Sequence, residues 1–127
     1  MTLGTLVQDM LTDDAGVAAL VGTRVYPVAL PQTPTYPAIS YQRISTTPQG
    51  GSTTLRVSRY QINCWATSYG GVQSLANAVI TAAEEHRDGS ETPVIKQTIT
   101  ANVIDDYDPD VKIYRTMVDV FVTTTGE

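Results

Sequence analysis

The hydrophobic period of this chain changes from that of a strand to that of a helix within one stretch, which constrains the fold more than any other feature. Between Leu55 and Ala66, β-branched and aromatic residues tend to alternate with other types, which predicts a strand. After Ser68, an expected helix N-cap, apolar residues recur at helical spacing and predict one stripe of an α-helix. This stripe contains Val72, Leu75, Ala76, Val79, Ile80 and Ala83. A long strand that leads into a long helix is therefore expected to form the centre of the domain.

Two shorter helices are predicted ahead of this unit. Apolar residues at positions 3–11 follow helical spacing, so a first helix is expected to end near Thr12. Thr12, Asp13 or Asp14 then caps a second helix, and Gly22 stands just after its end. We interpret the adjacent acids as caps because no third ligand stands at metal-binding spacing nearby.

The next segment is punctuated by prolines, which exclude a helix interior and a central strand. Arg24–Val28 is expected to form a short strand, and an extended crossing then leads to a second strand at Ala38–Ser45. Thr46–Thr54 is polar and rich in glycine and threonine, so it predicts a mobile loop between two antiparallel strands. The prolines of this region are Pro27, Pro31, Pro34 and Pro37.

The last third of the chain predicts two further strands, Val94–Asp105 and Val111–Thr124, after a polar turn at 87–93. The sequence DDYDPD at Asp105–Asp110 separates them and is interpreted as a hairpin turn. An EF-hand calcium loop would need a turn glycine and a distal glutamate, which are missing. Val111–Thr124 has apolar side chains on both faces, so we expect it to be central in the sheet or covered by a neighbouring subunit.

These elements predict an α+β fold for a single domain over residues 1–127. The expected architecture is a mainly antiparallel sheet of about four to five strands. The long helix and the N-terminal helical pair are expected to cover one face of that sheet. A chain of 127 residues with 42% apolar content is long enough to bury a core without disulfides.

Residues that could carry catalysis or hold a cofactor are sparse. Cys64, the only cysteine, lies on the apolar face of the predicted strand and is interpreted as a small core residue. His86, the only histidine, follows a helix end, where a cation is electrostatically favourable. A zinc shell would need carboxylates for its remaining ligands. We therefore expect no cofactor, no metal and no enzymatic activity.

Charge and the N-terminal sequence limit the partners. The formal net charge of -5 disfavours a general affinity for nucleic acid. The start of the chain, MTLGTLVQDML, has neither the basic segment of a signal peptide nor an apolar run that could span a membrane. A cytoplasmic origin without membrane contact is the expectation.

Charged residues gather in patches of opposite sign. Three arginines bracket the glycine-rich loop, whereas acids follow the long helix and fill the predicted hairpin turn. Such patches suit head-to-tail contacts between copies of one chain, but solvated turns would show the same pattern. The candidate subunit-interface residues are Arg43, Arg56, Arg59, Asp105, Asp106, Asp108 and Asp110.

Three stretches of the first 86 residues carry a family resemblance: LTDDAGVAALVGTRVYP, PAISYQRIS and SRYQINCWATSYGGVQSLANAVITAA. The chain resembles the tail-completion or tail-terminator proteins of long-tailed bacteriophages and prophages. The resemblance consists of core positions and turns and includes no catalytic motif.

The resemblance implies a structural virion protein, assembled in the host cytoplasm, that forms a ring, usually a hexamer. Such a ring stops growth of the tail tube at its head-proximal end and presents a surface for head-tail joining. The implied partners are further copies, the tail tube protein and a neck or head-completion protein, with DNA passing through the ring without sequence-specific binding. The alternatives are a head-completion or neck adaptor on the portal side and, from another class, a small cytoplasmic enzyme.

Overall fold

The helices and strands follow the order that the sequence predicts. A computed structural model of the protein describes residues 2–48, 55–84, 86, 89 and 93–126. The elements are α1 Leu3–Thr12, α2 Ala15–Val21, β1 Val25–Pro27, β2 Ala38–Pro48, β3 Leu55–Ala66, α3 Tyr69–Ala83, β4 Val94–Asp108 and β5 Ile113–Thr125. The predicted strand at 55–66 and the helix that follows Ser68 are confirmed.

Side-chain caps determine where two of the helices begin. Asp14 Oδ2 accepts a hydrogen bond from the Val17 N–H at 3.0 Å, so Asp14 is the cap among the three candidates. Ser68 Oγ accepts one from the Gly71 N–H at 3.0 Å, as predicted. Gly22 ends α2 with a φ of 60°, which glycine adopts without the cost that a side chain would add.

Within the described residues the strands form one five-stranded mixed sheet of order β1-β2-β3-β5-β4. The β1–β2 pair is parallel, and the other pairs are antiparallel. The protein is therefore α+β, with three helices among the described residues. β5 lies between β3 and β4, so the predicted central position of this strand is confirmed.

One face of the sheet joins the helices in a common core; we call it the covered face. Its strand register places Tyr60 opposite Val120 and Ile62 opposite Val118. These side chains belong to one buried cluster with the stripe of α3 and apolar residues of α1 and α2. The Tyr41 hydroxyl donates to Gln8 Oε1 at 2.6 Å and so ties β2 to α1. We call the opposite surface of the sheet the open face.

The strands that precede two of the predicted turns are longer than expected. β2 continues to Pro48, so Thr46–Pro48 is strand and not loop, and the rest of the predicted loop, 49–54, lies outside the described residues. β4 continues to Asp108, so the prediction that Asp105 and Asp106 begin a hairpin turn is wrong. Cross-strand side-chain bonds from β5 hold these aspartates in the strand, which offsets their low β-propensity. Most of the predicted turn at 87–93 also lies outside the described residues.

Candidate assembly surfaces

A row of three side chains crosses one end of the open face. The register places Trp65 opposite Arg115, and Arg115 opposite Asp106. Arg115 Nη2 donates to Asp106 Oδ2 at 2.7 Å, and the guanidinium carbon lies 5.2 Å from the centroid of the Trp65 ring. Because the ion pair is partly exposed, it adds little stability. Its effect is to fix the positions of the arginine and the indole ring on this face.

A second ion pair lies nearer the middle of the open face. Arg59 Nη2 donates to Asp119 Oδ2 at 2.7 Å. The Asp119 side chain is only 7% exposed, and its Oδ1 atom is buried without a hydrogen-bond partner. Removal of Arg59 would leave a buried carboxylate without its counter-charge, which is costly.

Exposed apolar side chains cluster on the β4 side of the open face. Ile99 lies opposite Phe121, and Ile104 lies opposite Met117. Ile99, Ile104 and Phe121 are 48%, 45% and 40% exposed. Neighbouring apolar side chains left in water are typical of a surface that another protein covers. We call these four residues the apolar patch.

The patch continues to the free edge of β4. This strand is 15 residues long, and its second edge pairs with no strand among the described residues. Its residues 101–108 are all exposed, and Val103 and Tyr107 add apolar side chains from the covered face. The opposite edge strand, β1, has only three residues and ends in Pro27. The pairing of β4 with β5 shifts register at Ile95/Gln97 and Thr100/Asn102, but residues 102–108 pair without a shift. This half of the β4 edge is therefore the better template for strand addition.

The sequence-predicted interface residues lie in two groups at opposite ends of the sheet. Arg56 is in register with Thr124 near one end, and Asp106 is in register with Arg115 near the other. Arg43 contacts Thr46 Oγ1 at 3.0 Å on the basic side.

Several of these charges already have partners in their own chain. Beyond the Arg59 and Asp106 pairs, Asp105 Oδ1 accepts from Thr116 Oγ1 at 2.7 Å. Asp108 Oδ1 accepts from the Asp110 N–H at 3.0 Å within the β4–β5 turn. Contacts between copies through these residues therefore remain a prediction. Such contacts would form in addition to the hydrogen bonds and ion pairs that these residues make within their own chain.

Sequence reasoning missed the β4 side of this surface. The signal was present, because Ile99, Val103 and Ile104 put apolar side chains on both faces of the predicted strand. β5 shows the same pattern in the middle of the sheet, whereas β4 shows it at the sheet edge. Only the strand order distinguishes a central strand from an edge that another chain can cover.

The described residues offer little for catalysis. Cys64 is fully buried, and burial raises the pKa of its thiol to about 12, which disfavours a reactive thiolate. The hydrogen bond from the Tyr69 hydroxyl to Asp105 Oδ2, at 3.0 Å, raises the pKa of Tyr69. Across the described ranges no group of three or more His, Cys, Asp or Glu residues could hold a metal ion. No described helix is long and apolar enough to cross a membrane.

A small α+β domain with an apolar patch beside a long strand edge that no described strand covers has the surface of an assembling structural protein. Residues 5–125 match the family model described as tail completion protein gp17, so the chain belongs to this family of phage tail proteins. The resemblance inferred from the sequence is thereby confirmed.

A solved structure shows the same fold. A chain of the structure titled "Virion of native gene transfer agent (GTA) particle" superposes with a TM-score of 0.80 at 20% sequence identity. The alignment covers 94% of this chain and 92% of that chain. At this identity the likeness shows the fold. No curated protein matches the sequence.

Proposed function

We propose that the protein forms a ring that caps the head-proximal end of the phage tail tube. The ring ends tube polymerisation and provides the surface to which the head joins. Membership of the tail completion family supports a role in tail assembly. The observation that carries the finer proposal is the β4 edge, which no described strand covers, together with its adjoining apolar patch, because a single copy exposes both to water.

The difference between the two sheet edges supports a ring. β4 offers a long edge, whereas among the described residues β1 pairs with β2 only as far as Tyr41. A contact between two different surfaces of the same chain is heterologous and closes into a ring when its rotation permits. We propose that β4 of one copy lies against the β2 side of the next, and that six copies close the ring. The candidate arginines and aspartates contribute pairing across this contact.

Capping requires the two ends of the ring to differ. One end covers the contacts exposed by the last ring of tube protein, and the other presents a surface to which a further tube subunit does not add. A neck or head-completion protein binds that second surface. The protein then resides at the head-proximal end of the tail, after assembly in the host cytoplasm, and DNA passes through the lumen without sequence-specific binding. The role is structural, and we propose no enzymatic activity.

Mixing purified protein with assembled tube protein tests the proposal. Electron microscopy should show one ring at one end of each tube, and capped tubes should stop elongating when more tube subunits are added. Binding to portal or neck protein with no effect on tube growth would instead indicate a head-completion adaptor. Absence of binding to either would overturn a role at this joint.

Two matched substitutions test the β4 surface itself. Ile104→Lys places a charge in the apolar patch, whereas Leu20→Lys places the same charge on α2, where Leu20 is 37% exposed. Both side chains are exposed, so both variants should remain folded. We expect only Ile104→Lys to lose ring formation in sedimentation. Equal assembly by the two variants would refute copy-to-copy contact at β4.

A further inference from the structure

Three tyrosine rings form a row at one end of the covered face. The ring centroid of Tyr114 in β5 lies 4.6 Å from that of Tyr107 in β4 and 5.8 Å from that of Tyr69 at the start of α3. Tyr69 and Tyr107 are 45% and 43% exposed, whereas Tyr114 packs against the core. The Tyr69 hydroxyl donates to Asp105 Oδ2 at 3.0 Å and fixes a carboxylate beside the rings. We call the three tyrosines the tyrosine row.

The row borders a concave surface that the helices leave uncovered. A cleft of about 240 Å³ lies between α3 and β4, and its lining includes Val103 and Asp105. Tyrosine is enriched at protein interfaces because its ring provides apolar area and its hydroxyl tolerates water. Grooves lined by aromatic rings are the usual binding sites of proline-rich segments, whose fixed backbone loses little entropy on binding.

The chain itself contains an exposed proline-rich segment. Residues 28–36, which we call the proline segment, form neither helix nor strand and include Pro31 and Pro34 at P-x-x-P spacing. Six of these nine residues are exposed, yet none is charged. Depletion of charge in an exposed segment is typical of the centre of an interface and not of a solvated loop.

The first residue of the proline segment is held in the exposed position at a cost. Val28 has a φ of 65°, which is unfavourable for a β-branched residue. Its N–H donates to the Tyr41 carbonyl at 2.7 Å, so the strained backbone is anchored to β2. The Val28 side chain is 67% exposed. Backbone strain that holds an apolar side chain in water indicates a contact made outside the single copy.

The proline segment and the tyrosine row lie at the same end of the sheet. The segment leads through Pro37 to Ala38, which pairs with Trp65, and Trp65 pairs with Arg115 next to Tyr114. However, the segment lies over the open face on the β2 side, whereas the row lies on the covered face beside the β4 edge. The sheet separates the two surfaces within one chain, so a contact between them joins two copies.

The charges around the two surfaces are complementary. Residues 24–42 carry one arginine and no acid, whereas residues 102–112 carry four acids and one lysine. Arg24 Nε donates to the Pro37 carbonyl at 2.9 Å, which holds the guanidinium at the end of the proline segment. Opposite charges favour contact between these unlike surfaces and disfavour contact between two acidic ones.

We propose that the proline segment of one copy docks on the tyrosine row of the next, with Arg24 beside Asp105. Because the two surfaces differ, the contact is heterologous and can repeat from copy to copy. The inference deepens the proposed ring and rests on it for the number of copies, since it names the parts of the β2 side and of β4 that meet. The choice of occupant depends on the composition, charge and position of the segment and the row.

Cross-linking between single introduced cysteines tests which surfaces meet. Ala29→Cys places a thiol in the proline segment and Val103→Cys places one beside the row, both at exposed positions, whereas the native Cys64 is buried. A short bismaleimide added to an equal mixture of the two variants should give a covalent pair of copies that neither variant gives alone. Leu20→Cys, at an exposed position of α2, takes the place of Val103→Cys in the matched control and should give no such pair.

Two substitutions of Tyr107 test the contribution of the rings. Tyr107→Ala should weaken association in sedimentation about tenfold or more, because truncation of an aromatic anchor is among the costliest changes at an interface. Tyr107→Phe keeps the ring and should associate as the wild type does. The Tyr107 side chain is exposed, so both variants should remain folded, which thermal unfolding followed by circular dichroism checks.

The outcomes separate this contact from the capping proposal. Rings that form without the cross-link between positions 29 and 103 would overturn the inference and leave the ring intact. Cross-linked copies that do not close into rings would support the contact and contradict the ring. Linkage of Val103→Cys to itself would overturn the inference, because it would place like surfaces together. Protection of Val103→Cys from a maleimide by tube protein, with no link between copies, would overturn it by assigning the row to the tube.

Discussion

The long helix contributes to folding through one stripe of side chains, and Leu75→Ala measures that contribution. Leu75 is fully buried and belongs to the cluster that joins α3 to the covered face. Loss of apolar transfer free energy alone costs about 2 kcal/mol. The cavity adds to this cost where the surroundings do not collapse, which gives a total of about 2–5 kcal/mol.

The neighbours of Leu75 restrict such collapse. Val72 and Val79 occupy adjacent turns of the same stripe and are themselves buried, and the sheet beneath is held by strand pairing on both sides of β5. We therefore expect a loss of about 3 kcal/mol. For a domain of this size the melting temperature should fall by about 10 °C.

Leu20→Ala provides the matched control. It makes the same change within a helix, so helix propensity affects both variants alike, but Leu20 is 37% exposed. Its cost should stay within about 1 kcal/mol. Urea and thermal unfolding of both variants, followed by circular dichroism, give the comparison. Equal destabilisation, or a fully stable Leu75→Ala variant that had lost only tube binding, would refute the assignment of this stripe to the core.

The remaining predictions concern charges and the thiol. Arg59→Glu should lower the melting temperature of the monomer because Asp119 is left buried beside a second acid. Arg56→Glu should leave the melting temperature nearly unchanged. Equal melting temperatures of the two variants would show that the Arg59–Asp119 pair does not stabilise the fold. Arg56→Glu should weaken ring formation, and Asp106→Lys should restore part of it in the double variant; strictly additive losses in sedimentation would exclude this pairing. Cys64 should react with a thiol reagent only after unfolding. Because the folded state holds the thiol proton more tightly, the pKa of Cys64 is raised from 9.0 to about 12. Its contribution to stability should therefore be complete below pH 9.0 and be lost as the pH rises towards about 12. Rapid labelling of the native protein would contradict that burial.

The resemblance to tail-completion proteins rests on local patterns, which can be recognised from the sequence alone. The stripe of α3, the Ser68 cap and the alternation in β3 depend on residues a few positions apart. Spacing of this kind determines which face of an element becomes apolar, whatever the rest of the chain does. These elements and the family were therefore predictable.

Tertiary structure decided the rest, because it depends on residues far apart in sequence. Asp105 and Asp106 look like turn residues until Thr116 and Arg115 lie opposite them and keep β4 extended. Whether β4 or β5 is the edge depends on strand order, which local spacing does not encode. The sequence by itself determined the elements, and long-range pairing determined which of their surfaces remain open to a partner.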